Sequence, residues 1–208
     1  MISPFGQKAA GFILAVSLFG SSALAAEGSE SVDAACMVET SAWMLANFLP
    51  DPGDFYQLCF GYQLDEKNVL LLNGITWKYG APLGIAMFDP SFDSPDEDYP
   101  GYVRAFGLGL GYQRFVWKDL FAALYAIPFA QDFYTREDEY IQSGFQLYLQ
   151  VQMGYQFDIG RGRFFLKPAI YMNYWPIDTN FPEAFRLKEE KWPSFQPFEP
   201  HLNFGFRF

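Results

Sequence analysis

The chain contains a single histidine, His201, with Glu199 two residues before it and Asn203 two residues after. A spacing of two puts all three on one face of a strand, and an imidazole beside a carboxylate can work as a general base. A nucleophile is missing from this stretch: the alternate position is Asn203, and Ser194 lies across prolines. His201 and Glu199 are therefore the candidate acid–base pair, and the plainer expectation is a polar network of Glu199, His201, Arg207 and glutamines. Asp89, Asp93, Asp96, Glu97 and Asp98 could offer oxygen ligands to a calcium or magnesium ion. Their spacing lacks the ordered alternation and central glycine of a calcium loop, so a solvated acidic loop is expected, as for Glu137-Asp138-Glu139. One histidine and two cysteines make a zinc site implausible. Gly107, Gly109 and Gly111 spell G-x-G-x-G, but no helix start follows them, which a dinucleotide site requires. No cofactor is expected.

The elements that hold these residues follow from composition. Of 208 residues, 50% are hydrophobic, 20% aromatic and 18% charged, against about 25% charged in ordinary chains. Mean hydropathy is nevertheless only -0.02, so apolar and polar residues must be interleaved. Disorder is excluded by the aromatic content, and a polytopic helical membrane protein by the lack of long apolar runs beyond the N-terminus. The net charge of -10 excludes a phosphate-backbone partner, which needs a basic surface. Residues 1–26 read as a cleaved signal peptide: Lys8, the apolar stretch Phe12 to Leu18, then Ser22-Ala23-Leu24-Ala25-Ala26. Residues 27–36 would form a periplasmic N-terminal segment and 37–208 the folded domain. Export permits a disulfide between Cys36 and Cys59, and two unpaired thiols are equally compatible with the sequence.

The clearest periodicity runs from Gln142 to Asp158. Phe145, Leu147, Leu149, Val151, Met153, Tyr155 and Phe157 alternate with Gly144, Gln146, Tyr148, Gln150, Gln152, Gly154 and Gln156. Such a run exceeds the usual strand of about 5–6 residues and suits a tilted strand crossing a bilayer. At the C-terminus, Phe198, Pro200, Leu202, Phe204, Phe206 and Phe208 share one face, opposite Glu199, His201, Asn203, Gly205 and Arg207. This ending on Phe208 resembles the C-terminal signature of bacterial outer-membrane β-barrels.

The resemblance implies an all-β, antiparallel up-and-down transmembrane barrel of about eight strands in the Gram-negative outer membrane. Outer-membrane lipids, lipopolysaccharide and the barrel-assembly machinery would be its partners, with Phe204, Phe206 and Phe208 as the assembly signal. Gln146, Gln150, Gln152, Gln156, His201, Asn203 and Arg207 would face the lumen. Further strands are expected at Phe55 to Leu64, at Val69 to Tyr79 with an extension through Ala81 to Phe88, and at Tyr102 to Phe115, Leu120 to Ala130 and Phe164 to Trp175. Loops are expected at 89–100, 131–140 and 176–197. Seven confident strands leave the parity odd, so Met37 to Phe48 is assigned as a first strand, turning at Pro50-Asp51-Pro52-Gly53, with an amphipathic helix as the rival. Aromatic girdles are expected at the two interfaces. Trp77, Tyr79, Tyr99, Tyr102, Tyr134, Tyr140, Tyr174 and Trp175 would form the outer one, and Tyr62, Tyr112, Phe115, Trp117, Tyr155 and Phe157 the periplasmic one.

The expected function is non-enzymatic: a structural, adhesive or small-solute pore role, with a small solute or surface ligand recognised by the external loops. Two alternatives remain. One is a lipid-modifying enzyme using His201 and Glu199, although lipid A deacylases place a serine two residues from the histidine and this chain has Asn203 there. The other is a soluble periplasmic barrel that binds an apolar ligand.

Overall fold

The computed structural model of the protein describes residues 36–49, 54–159 and 163–208. The expected signal peptide, the Pro50-Asp51-Pro52-Gly53 turn and the glycines of the 160–162 turn lie outside them. Nine antiparallel strands form one sheet: β1 Cys36–Ser41, β2 Tyr56–Gln63, β3 Asn68–Tyr79, β4 Gly101–Trp117, β5 Leu120–Thr135, β6 Tyr140–Tyr155, β7 Phe157–Ile159, β8 Phe164–Thr179 and β9 Phe195–Arg207. Their order is β6-β5-β4-β3-β2-β1-β9-β8-β7, and β6 also pairs with β8. Since β6 and β7 are successive stretches along β8, the nine strands make eight staves, and the pairing of β6 with β8 closes the ring. Short turns at 64–67 and 118–119 gather at one end, with Cys36 and Phe208 paired there through their backbones. The longer connections at 80–100 and 180–194 gather at the other.

Period-2 alternation sorts the side chains. On β2, Gln57 and Cys59 are buried while Tyr56, Leu58, Phe60 and Tyr62 are exposed. The sorting recurs around the ring, so Leu70, Leu72, Phe106, Leu108, Leu110, Phe145, Met153, Ile170, Leu202 and Phe204 all face outward with 40–70% of their surface open. An eight-stave barrel leaves an interior just wide enough for side chains, and the packing between β4 and β5 is tight. A Cβ on Gly107 would meet the Phe129 ring at 2.4 Å, one on Gly109 would meet Ile127 at 2.5 Å, and one on Gly111 would meet the Tyr125 ring at 2.4 Å. The G-x-G-x-G run is a groove that lets three large β5 residues lie flat against their neighbouring strand.

Several boundaries differ from the sequence reading. The 37–48 segment is half strand and half helix: β1 begins at Cys36, inside the segment assigned as periplasmic, and stops at Ser41, where a 3-10 helix, Ala42–Phe48, takes over. Ser41 ends the strand because its Oγ accepts the Trp43 N–H and caps the helix. The expected extension through Ala81 to Phe88 is not strand but a series of turns, consistent with Pro82 and the glycines around it. Conversely, β5 and β6 continue through most of the expected 131–140 loop, leaving only residues 136–139 between them. The 176–197 loop shortens because β8 runs to Thr179 and β9 starts at Phe195. It contains a helix, α1, Glu183–Glu189. Cys36 and Cys59 are both free thiols, and alternation puts Cys59 inside and Cys36 on the opposite face.

The outer girdle is also revised. Tyr102, Tyr134 and Tyr140 do sit together on the outside, with Tyr102 and Tyr134 stacked at 5.1 Å and Tyr134 5.9 Å from Tyr140. Trp77, Tyr79, Tyr99 and Trp175, however, point into the barrel or its cap, and Tyr99 and Trp175 are 1% exposed. At the turn end Tyr62, Trp117 and Phe157 are on the outer surface, whereas Phe115 packs against the interior cluster. An odd–even assignment along β3, β4 and β8 separates these residues, except that the bulge between Phe115 and Trp117 turns Trp117 outward. Their chemical type does not separate them.

Candidate functional site

The interior holds three connected groups of side chains. Nearest the turn end, Lys167 on β8 is fully buried and donates from Nζ to Glu39 Oε2 on β1 at 2.7 Å and to Gln113 Oε1 on β4 at 2.7 Å. Its ammonium also sits 4.7 Å from the centre of the Phe121 ring, a cation–π contact. A buried ammonium is tolerable only when paired and hydrogen-bonded, and three strands converge to do this. Arg207 reaches Asp158 at 2.9 Å at the turn-end rim.

The second group surrounds His201. Ser41 Oγ lies 2.6 Å from His201 Nε2. That oxygen also accepts the Trp43 N–H, and with a second lone pair and its own proton it can accept from Nε2 or donate to it according to the tautomer of the ring. Nδ1 lies 3.4 Å from Glu199 Oε1 with no hydrogen-bond partner, and Glu199 Oε2 accepts from Asn173 Nδ2 at 2.7 Å. Tyr171 stacks on the imidazole at 4.1 Å, nearly parallel, and its hydroxyl accepts from Asn203 Nδ2. Ser41, His201 and Glu199 thus stand in the order nucleophile, base, carboxylate. Ser41, however, is fully buried, so no carbonyl carbon reaches its oxygen in this conformation.

Sequence spacing could not pair Ser41 with His201, because the two are 160 residues apart. The available signal was topological: a closed barrel sets its first strand against its last, and the register places Ser41 opposite Asn203. Lys167 was also missed. Its signal was a lone lysine in phase with Phe165, Ala169 and Tyr171 on the inner face of β8.

Above His201 lies a cavity of about 450 Å³ that runs toward the loop end. Gln57, Asn73, Gln150 and His201 form its polar part, and Ile75, Trp77, Phe129 and Tyr148 contribute walls, with Trp43 and Phe55 on the side where β1 has ended. Trp77 meets Phe129 edge-on at 4.6 Å, and Tyr148 stacks on Trp175 at 5.8 Å. Among the glutamines named from the sequence, Gln146, Gln152 and Gln156 are each 1% exposed and Gln150 is 8% exposed. Gln150 accepts from Gln152 at 2.7 Å and donates to Asn173 at 2.9 Å.

The third group caps the loop end. Phe185 of α1 packs 4.9 Å from Tyr99 and 5.3 Å from Phe133, and the Tyr99 hydroxyl donates to Glu189. Partial burial raises the Glu189 carboxyl above its usual range. The acidic loop is tied to the same segment: Glu97 accepts from Trp192 Nε1 at 3.2 Å and the Asp96 carbonyl from Lys188, while Asp89 accepts from the Ser91 N–H at 2.8 Å within the loop itself. The Trp192 hydrogen bond holds the Glu97 carboxyl below its usual range. Asp89, Asp93, Asp96 and Asp98 do not converge, and no group of three metal-ligating side chains occurs among the described residues.

Neither a protein family nor a curated protein matches the sequence. Solved structures of similar fold include two small proteins. One is the attachment invasion locus protein Ail of Yersinia pestis, solved in complex with the heparin analogue sucrose octasulfate. It is 11% identical, with 85% of this chain and 100% of that chain covered, at a TM-score of 0.45. The other is Neisserial surface protein A, 13% identical, with 84% of this chain and 94% of that chain covered, at a TM-score of 0.43.

Proposed function

We propose that this chain is a barrel of the Gram-negative outer membrane with a non-enzymatic structural or adhesive role, its specificity carried by the loop end. The observation that carries the reading is the inversion of polarity across the wall. Leu108 and Leu110 are 62% and 70% exposed on the outside, while Lys167 and Glu39 are buried within. Lipid accepts such a surface, whereas soluble monomers rarely expose apolar patches beyond a few hundred Å². The soluble periplasmic alternative loses on this point. Phe204, Phe206 and Phe208 lie along the outward face of the last strand, where the assembly machinery would meet them.

The cap supports the adhesive part of this reading. Docked through Phe185, α1 presents Arg186 between Glu183 and Glu190, bonded at 2.8 Å to the first, on a platform braced from below by Tyr99 and Phe133. Outer-membrane fractionation with heat-modifiable migration on a detergent gel tests the location. A folded product confined to the soluble periplasm would overturn it.

A second reading, ester hydrolysis on a membrane lipid, is favoured by one observation, the 2.6 Å contact of Ser41 with His201. Comparing lipid A from wild-type and gene-deleted cells by mass spectrometry decides it. The non-enzymatic reading expects identical profiles.

A further inference from the structure

The cavity beside His201 has chemistry that the membrane reading does not use. Its polar wall ends in unsatisfied groups: Gln57 Oε1, Asn73 Nδ2 and His201 Nδ1 are buried without a hydrogen-bond partner, on residues 8%, 1% and 8% exposed. Buried polar atoms are normally paired, and each exception calls for a partner. All three belong to residues that line one cavity, and since each atom itself has almost no open surface they mark its polar end rather than its contact points.

The charge of the ligand follows from the remaining lining. Among the described residues, Glu199 is the one carboxylate that lines the cavity, and its side chain is 25% exposed. The cations are committed elsewhere, Lys78 included although it too is a lining residue. Lys167 is paired with Glu39 and Gln113, and Lys78, in phase with the outward residues of β3, sits 3.8 Å over the outer Tyr102 ring. Trp43, Phe55 and Trp77 keep part of their ring surface open on the cavity. Aromatic faces around a carboxylate attract an organic cation through the ring quadrupole as well as through charge. The same carboxylate disfavours a fatty-acid anion. The void is within the usual range for small-molecule sites, about 300–1,000 Å³.

We infer that the cavity binds a small organic ammonium ion bearing a hydroxyl group. The ammonium lies between the Glu199 carboxylate and the Trp77 side of the wall, and the hydroxyl is turned toward the polar end formed by Gln57, Asn73 and His201. This inference does not depend on where the barrel is embedded, and it requires no covalent step.

Calorimetric titration of the full barrel, purified in a non-ionic detergent, tests it with three probes. They are choline, its uncharged carbon isostere 3,3-dimethylbutan-1-ol, and hexanoate. Choline is expected to bind about tenfold more tightly than the isostere, and hexanoate not to bind. Glu199→Gln should remove the choline preference while leaving isostere binding in place, and Trp77→Leu should weaken choline binding with the carboxylate intact. Asp96→Asn, on the exposed loop, should change nothing. Equal binding of choline and the isostere, absence of choline binding, or an equal loss in Asp96→Asn would each overturn the inference. If Glu199→Gln does not fold, Trp77→Leu decides: unchanged choline affinity there overturns it.

Discussion

Lys167 Nζ lies 2.7 Å from Glu39 Oε2, with both side chains almost wholly buried inside the barrel. The pair joins β8 to β1 across the intervening β9, and Gln113 on β4 completes the ammonium's bonding from the far wall. Removing one partner strands the other charge, which typically costs about 3–5 kcal/mol. Lys167→Ala and Glu39→Ala should each destabilise the refolded barrel by about that amount, measured by denaturant unfolding in lipid vesicles. The double variant Glu39→Leu/Lys167→Met should lose far less. Additive losses in the double variant would show that the two charges act independently.

The same pair, with Phe121, Phe165 and Met37 fully packed around it, forms a floor beneath the cavity. Among the described residues, an eight-stave interior filled in this way is expected to leave no continuous aqueous path. Planar-bilayer recordings of the wild-type protein should show no stepwise conductance, a result that would remove the solute-pore part of the functional expectation. Well-resolved single-channel steps would contradict the floor.

Ser41 has two structural jobs, the cap on the Ala42–Phe48 helix and the hydrogen bond to His201. Ser41→Ala should destabilise the protein by about 0.5–2 kcal/mol, the usual range for a lost N-cap, and should raise hydrogen exchange in the 42–48 segment. Unchanged exchange there would show that the cap is unimportant.

Glu189 ties α1 to Tyr99, and burial raises its carboxyl. A raised folded-state value means that docking is strongest below the ordinary carboxylate range, where Glu189 is protonated both docked and released. It weakens as pH rises through the raised value. Protection factors of the α1 amides should therefore fall with rising pH across the mildly acidic range, and Glu189→Gln should abolish that dependence. Protection that increases with pH would reverse the assignment.

Strand periodicity made the barrel legible in the sequence wherever one face was polar, as along Gly144 to Phe157. It failed where both faces were apolar or where a charge interrupted an apolar run. Asp132 was taken for the start of a loop, yet it pairs opposite Arg104 within the ladder, on the outer face where a charge can meet solvent or headgroups. Residues 81–88 looked like strand because they are apolar, but Pro82 cannot donate to a ladder. The interior was harder to read. Glutamines advertised themselves, whereas Trp77, Tyr148 and Trp175 were indistinguishable by type from interface aromatics. The Ser41–His201 contact needed ring closure, a property of the whole chain that no local window contains.

β1 stops at Ser41, and its ladder with β9 covers only Met37–Ser41, whereas β5 and β6 are paired from Leu120 to Tyr134. β1 is therefore the short stave, held to β2 only over Cys36–Glu39 and to β9 only over Met37–Ser41, and the second of these ladders joins the first described strand to the last. The final stave must be present before the ring can shut, so insertion ends with this junction being zipped. Under pulling or heating, the two ladders that flank β1 are the natural first tear. Lys167 and Glu39 sit just behind them and act as an internal latch across the closure, fastening from within a joint that the backbone alone holds by only a few rungs.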